Sequence, residues 1–150
     1  MITVIQRVKH ASVTINQQSI AEIGQGIAAL VAMENNDTEQ EANRLLERIL
    51  NYRIFSDAEG KMNLSLRECK GGLLLIPQFT LAADTRKGSR PSFSSAANPE
   101  QGKRLFEYFL RRAKRNYPFV ACGRFGADMQ VSLINDGPVT FILQYSNTKN

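Results

Sequence analysis

Apolar residues come first in short, strand-length runs. Residues 2–8 and 11–15 read as two strands separated by the polar Lys9-His10 step, and Gln18–Ile23 alternates polar and apolar as a half-buried strand does. Gly24-Gln25-Gly26 turns the chain into the apolar run 27–33, the pattern of a strand buried on both faces. Four strands in the first third predict antiparallel hairpins. The period then changes. Ala42, Leu45, Leu46, Ile49 and Leu50 form one helical stripe, with Asp37 placed to cap the helix and Gln40 three positions on. Residues 52–55 read as a strand and Asp57-Ala58-Glu59-Gly60 as a turn. Gly71-Gly72 opens a buried strand over 73–76 that runs into Pro77-Gln78-Phe79-Thr80-Leu81.

Residues 82–97, rich in Ser, Gly and Arg, show no periodicity, and loops this long in compact domains are usually functional or disordered. Asn98 and Pro99 make an N-cap and first-turn pair for a second helix. Its stripe of Leu105, Phe106, Phe109, Leu110 and Ala113 belongs to a core rather than to a base-stacking platform, and Pro118 stops it. Strands are expected at 119–125, 129–134 and 139–145, with Asn135-Asp136-Gly137-Pro138 as the turn between the last two. The polar tail, 147–150, is expected to fray. No repeat or linker divides the 150 residues, so they read as one domain.

Composition narrows the chemistry. The 43% hydrophobic and 22% charged fractions are those of a globular protein. No apolar stretch approaches ~18 residues and no secretory signal is visible, so a cytoplasmic protein without membrane contact is expected. Cys69 and Cys122 form no CxxC pattern and read as small buried hydrophobes. No cluster of ligands could hold zinc, and no metal or other cofactor is expected. His10, the single histidine, reads as a solvated turn residue. Any reaction here proceeds without metal, histidine or a reactive thiol.

Charge points to an acidic partner. The net charge is +5, and residues 76–150 hold 11 basic against 5 acidic side chains, whereas residues 1–75 hold 8 against 9. Most of the excess lies between Arg86 and Arg115, including Lys87, Arg90, Arg111 and Arg112. Such a field attracts nucleic acid, although a solvated helix face has the same composition.

Two segments are candidates for a site. Gln78-Phe79-Thr80 emerges at the end of a buried strand, and Thr80 is its one candidate nucleophile, with no base evident beside it. Gly137-Pro138 lets backbone approach a ligand closely, and Gly-Pro is a pair that tolerates a cis bond; a plain hairpin turn is the alternative.

Together these residues resemble the D-aminoacyl-tRNA deacylase family, and the likeness covers almost the whole chain. It includes Gln6-Arg7-Val8, Arg53-Ile54-Phe55, Lys61-Met62-Asn63-Leu64, Ala83-Asp84-Thr85-Arg86-Lys87-Gly88, Arg90-Pro91-Ser92-Phe93 and Gly126-Ala127-Asp128-Met129-Gln130-Val131. Asn135-Asp136-Gly137-Pro138-Val139-Thr140 fits the family's N-x-G-P-x-T pattern in full. S-Q-F-T-L is matched at four of five positions, with Pro77 where the family has serine.

The resemblance implies an α+β fold of three layers, α/β/β, with two helices on curved mixed sheets approaching a barrel. It implies a homodimer with active sites at the subunit interface, acting on aminoacyl-tRNA. In that family the Gly-Pro peptide is cis and enters the partner's pocket, where its carbonyls grip the α-ammonium of a D-residue and exclude L-residues. Glycine, lacking a side chain, would pass. Gln78, Phe79 and Thr80 are implied as the catalytic segment. Gly137 and Pro138, with Arg7 holding their turn, and Met129, Asn135 and Thr140 are implied in chirality and substrate binding. Arg86, Lys87, Arg90, Arg111 and Arg112 are candidates for the tRNA backbone. The family is described as using the tRNA's 2′-hydroxyl, with Thr80 as the rival nucleophile. Outside the resemblance stand a non-catalytic basic RNA-binding module and a threonine-nucleophile hydrolase of small esters.

Overall fold

One strand organises the molecule. In the structure, a computed structural model describing residues 1–146, β1 runs unbroken over Ile2–Ile15. The polar Lys9-His10 step therefore does not end a strand. His10 pairs across to Ile134, and its Nε2 lies 2.6 Å from Glu22 Oε1, so it is a strand residue and not a turn residue. The tail at 147–150 lies outside the described residues.

Asn16 and Gln17, both at positive φ, reverse the chain into β2 (Gln18–Ile23) and then β3 (Gly26–Ala32). These two are not a hairpin. Ala11 pairs with Ile23 and Val8 with Gly26, so β2 and β3 lie end to end along one edge of β1 in a single register. Gly24-Gln25 is a break in one long arm, because reversing the chain there would have stripped half of β1 of its partner. Gly26 is glycine by necessity: a Cβ would lie 1.9 Å from the Gly72 carbonyl oxygen of the next strand.

Helix α1 (Glu39–Asn51) is capped by Thr38, one residue later than expected. Thr38 Oγ1 accepts from the Gln40 N–H, and Glu41 Oε2 in turn accepts from the Thr38 N–H at 2.9 Å. Asp37 is otherwise engaged. It accepts from the Met1 ammonium at 2.5 Å and from the Glu34 N–H at 2.6 Å. Burial pushes its carboxyl above the ordinary range, and those two donors draw it only part of the way back.

The expected strand at 52–55 shrinks to β4 (Phe55–Ser56), which pairs with β5 (Met62–Leu64); Tyr52 instead ends α1. A third helix, the one-turn α2 (Leu66–Cys69), has its own capping box from Ser65 and Glu68. It is too short to leave a periodic stripe. Strand β6 (Gly72–Pro77) runs parallel to β3, and a 3₁₀ turn (Phe79–Ala82) follows. Asn98 and Pro99 start α3 (Pro99–Asn116) as expected. Only Val120–Cys122 of the expected strand 119–125 joins the sheet, as β7 beside β6.

The two expected terminal strands are one, β8 (Gln130–Gln144), paired with β1 throughout. Gln6 faces Thr140 and His10 faces Ile134, so six steps of β8 oppose four of β1. The residues around Gly137-Pro138 are a bulge in a continuing strand, not a hairpin turn.

Alternation along the sheet builds two cores. Ile5, Ile27, Ala29, Leu73 and Leu75 face α1 and α3, meeting Leu45, Ile49, Phe106 and Phe109. Val8, Val13, Ile23, Ala28, Leu74 and Ile76 form a second, smaller cluster. The result is the expected three-layer α+β architecture on a nearly closed, barrel-like mixed sheet.

Candidate active site

Strand β6 delivers the first segment. Parallel pairing with β3 carries it as far as Pro77 opposite Val31, and the Gln78 N–H still donates to Val31 O at 2.8 Å. Successive N–H groups point to opposite edges, so Pro77 turns its imide nitrogen toward the β7 edge, where the last bond is the Gly123 N–H donating to Leu75 O at 2.8 Å; lacking an N–H, Pro77 cannot extend that pairing. The chain then tightens into the 3₁₀ turn, whose Leu81 and Ala83 N–H groups bond back to Gln78 and Thr80. The N–H groups of Phe79 and Thr80 have no partner among the described residues, as expected for the first donors of a turn. The Thr80 hydroxyl receives a hydrogen bond from Gln78 Nε2. That neighbour is a donor and cannot take a proton from the hydroxyl.

Beside this turn lies a cleft of 540 Å³ lined by Pro77, Phe79, Phe93, Phe125, Asn35 and the Asn98-Pro99 start of α3, among others. None of its lining residues is charged. Phe79 and Phe93 stand 5.2 Å apart, centroid to centroid, and remain 57% and 43% exposed; Phe125 leans on Phe106 at 6.2 Å. Phe93, Phe125 and Asn35 went unassigned in the sequence. The available signal was Phe93 itself, the one aromatic side chain within the polar 82–97 loop.

The second segment is held by Arg7. Its Nε donates to the Asp136 carbonyl at 2.9 Å and its Nη1 to the Ile54 carbonyl at 2.7 Å, a use suited to the guanidinium fork. Asn135 braces the bulge from within. Its Oδ1 accepts the Val139 N–H at 2.7 Å and its Nδ2 donates to Thr140 Oγ1 at 2.9 Å. Gly137-Pro138 is cis and exposed, with Gly137 at φ +144°. Around it β8 exposes Ile134 (58%) and Ile142 (67%). Met129 sits apart from this loop, packed on the second core with its sulfur accepting the Arg124 N–H.

The two segments do not meet within one chain. Gly137 belongs to β8 opposite Arg7, whereas Pro77 is three strands away and level with Thr3. Along the sheet that separation is roughly 15–20 Å.

The basic candidates divide. Arg86 is clamped by Asp84, with Nη2 2.7 Å from Oδ2, which holds the Asp84 carboxyl far below the ordinary range. Arg112 donates to Asn43 Oδ1 of α1 at 3.1 Å. Lys87, Arg90 and Arg111 are exposed and make no ion pair among the described residues. No group of three or more potential metal ligands occurs among the described residues.

A family model described as D-Tyr-tRNA(Tyr) deacylase matches residues 4–144. The chain belongs to that family. Membership makes it an ester hydrolase. The chain is 58% identical to a D-aminoacyl-tRNA deacylase of Ralstonia nicotianae over 149 residues, covering 96% of this chain and 90% of the relative. It is equally similar to one of Burkholderia mallei, covering 98% of that protein. Among solved structures it superposes on the c-Myc DNA Unwinding Element Binding Protein with TM-score 0.94 and 38% identity, covering 97% of this chain and 99% of the other. A probable eukaryotic D-amino acid tRNA deacylase shares the fold at TM-score 0.82 and 18% identity, with 95% and 97% covered.

Proposed function

We propose that the chain hydrolyses the ester between a D-amino acid and the 3′-terminal adenosine of tRNA, releases free amino acid and tRNA, and spares L-aminoacyl-tRNA. The carrying observation is the pair of Phe79 and Thr80 N–H groups, without a partner among the described residues, beside an uncharged, aromatic-lined cleft. Those donors suit the oxyanion of ester hydrolysis, and preorganised donors of this kind are often worth ~3–4 kcal/mol each. The cleft suits the adenosine. Because Thr80 has only a donor beside it, the tRNA's 2′-hydroxyl, and not Thr80, assists water.

Chirality rests on backbone. With no charged side chain in the cleft to grip an ammonium, the Gly137 and Pro138 carbonyls take that role. They would accept from a D-residue while an L side chain would meet backbone. Glycyl-tRNA passes the same filter. Since one chain keeps the two segments apart, a second copy supplies Gly137-Pro138, and the apolar β8 face around Ile134 and Ile142 supports a homodimer. No described helix is long and apolar enough to cross a membrane, and we infer a cytoplasmic site of action.

Incubating D-Tyr-, L-Tyr- and Gly-tRNA with catalytic amounts of protein tests the reading. Rapid loss of the D- and glycyl esters with the L-ester retained is expected. Equal rates for D and L would defeat the chirality argument, and tRNA binding without turnover would favour an RNA-binding module.

A further inference from the structure

The 82–97 loop is pinned at two points, and Phe93 is the single residue between them. On one side Asp84 and Ser92 exchange backbone hydrogen bonds at 2.7 and 3.0 Å. On the other, the Asn35 N–H donates to Ser95 O at 3.0 Å and the Asn35 side-chain amide donates to Ser94 O. Asn35 is itself anchored, since its carbonyl accepts from Gln101 Nε2 of α3 at 3.0 Å. Behind it Glu34 bridges Ala96, and the Ala97 N–H reaches Met33 O at 3.0 Å. The backbone bonds return the loop to the β3–α1 connection. The Asn35 side chain adds a further bond, to the residue directly after Phe93.

We propose that Asn35 is a positioning residue: by latching Ser94 it holds the Phe93 ring against Phe79 as the outer wall for the flat terminal base of the substrate. Asn35 touches the loop rather than the reacting ester, so it acts through Phe93 and governs binding more than the chemical step. This inference rests on the cleft receiving the terminal adenosine.

The test uses D-tyrosyl-tRNA turnover together with equilibrium binding of a non-hydrolysable amide, 3′-(D-tyrosylamino)-3′-deoxyadenosine, and of its abasic counterpart. Asn35→Ala and Asn35→Asp both lose the donor, and Asp keeps the shape. Each should raise KM and the Kd of the adenosine probe by about three- to tenfold, the range of one weakened stacking wall. Each should leave kcat within about twofold and the abasic probe's Kd unchanged. Phe93→Leu, at an exposed position that should not disturb folding, should match them, and combining it with Asn35→Ala should add little. Binding of the adenosine probe unchanged in Asn35→Asp, or loss extending equally to the abasic probe, would overturn the latch. Should the parent bind the probe yet not hydrolyse D-tyrosyl-tRNA, the proposed activity fails while the probe measurements still decide the latch.

Discussion

Gly137→Ala isolates what the bulge in β8 demands of its sequence. At φ +144° only glycine is at ease, and an added Cβ would lie 2.6 Å from Val139 Cγ2 and 2.9 Å from the Val139 nitrogen. The first neighbour is the branch of a stiff side chain and the second is backbone. That nitrogen donates to Asn135 Oδ1, and the Arg7 guanidinium, 3.3 Å from the same Cβ, blocks retreat toward β1. Backbone strain of ~1–3 kcal/mol and overpacking of ~1–3 kcal/mol act together, partly relieved by the Val139 N–H leaving Asn135, for a net cost of about 3 kcal/mol. In a chain of this length that lowers Tm by about 6–12 °C. Calorimetry or urea unfolding of Gly137→Ala, Asn135→Ala and the double variant reads the effect. Because both substitutions act on the Val139 hydrogen bond, the double should be less destabilised than the sum by at least ~0.5 kcal/mol. A Tm within about 2 °C of the parent, or strict additivity, would refute the reasoning. With the proposed function, D-tyrosyl-tRNA hydrolysis should also collapse in the single variant even at temperatures where it is folded.

Three further outcomes are expected. Thr80→Val keeps the backbone donors and removes the hydroxyl, so single-turnover hydrolysis should slow by less than about tenfold, or ~1.4 kcal/mol; abolition with tRNA binding intact would install Thr80 as nucleophile. Reversing Arg111 and Lys114, exposed on α3, should lower the salt slope of tRNA binding by about 1 for each phosphate no longer neutralised, whereas Arg112→Glu should act through its Asn43 bond on stability. An unaltered slope would return the α3 face to solvent. For pH, burial alone would raise the Glu41 carboxyl, but hydrogen bonds from the Thr38 hydroxyl and N–H outweigh it and hold it below the ordinary value. A depressed carboxyl stabilises the fold above its unfolded value of about 4.3 and loses that contribution as pH falls through the folded one. Resistance to urea unfolding should therefore fall below about pH 4, and Glu41→Gln should flatten that decline.

Local rules were legible wherever neighbours in sequence decide them. The α1 and α3 stripes, the Asn98-Pro99 cap, the Asp57–Gly60 turn and the buried runs of β3 and β6 all follow from periodicity and turn chemistry. The family was equally legible, because Gln78-Phe79-Thr80-Leu81 and the Asn135 to Thr140 motif are contiguous. Pairing was not. Gly24-Gln25 and Gly137-Pro138 both look like reversals, since glycine and proline permit a turn without requiring one. Each proved to be an irregularity in a continuing arm, because β1 is long enough to hold both arms in register and leaving either half unpaired would bury unsatisfied backbone. Asp37, a plausible cap by type, was taken by an ammonium 36 residues away, and the cap passed to Thr38.

The site shows the same division. Residue identities at β6 and the β8 bulge were readable, but the cleft's aromatic lining was not, because Phe79, Phe93 and Phe125 come from separate segments that only the folded sheet assembles. Charge was visible as a total, but its partners were not: Asp84 pairs with Arg86 and Asn43 accepts from Arg112, whereas Lys87, Arg90 and Arg111 make no ion pair among the described residues. Sequence carries the preferences of each residue for its near neighbours. Which distant partner satisfies a donor, charge or apolar face is settled only when the chain closes, because those energies depend on distances that separation along the chain does not set.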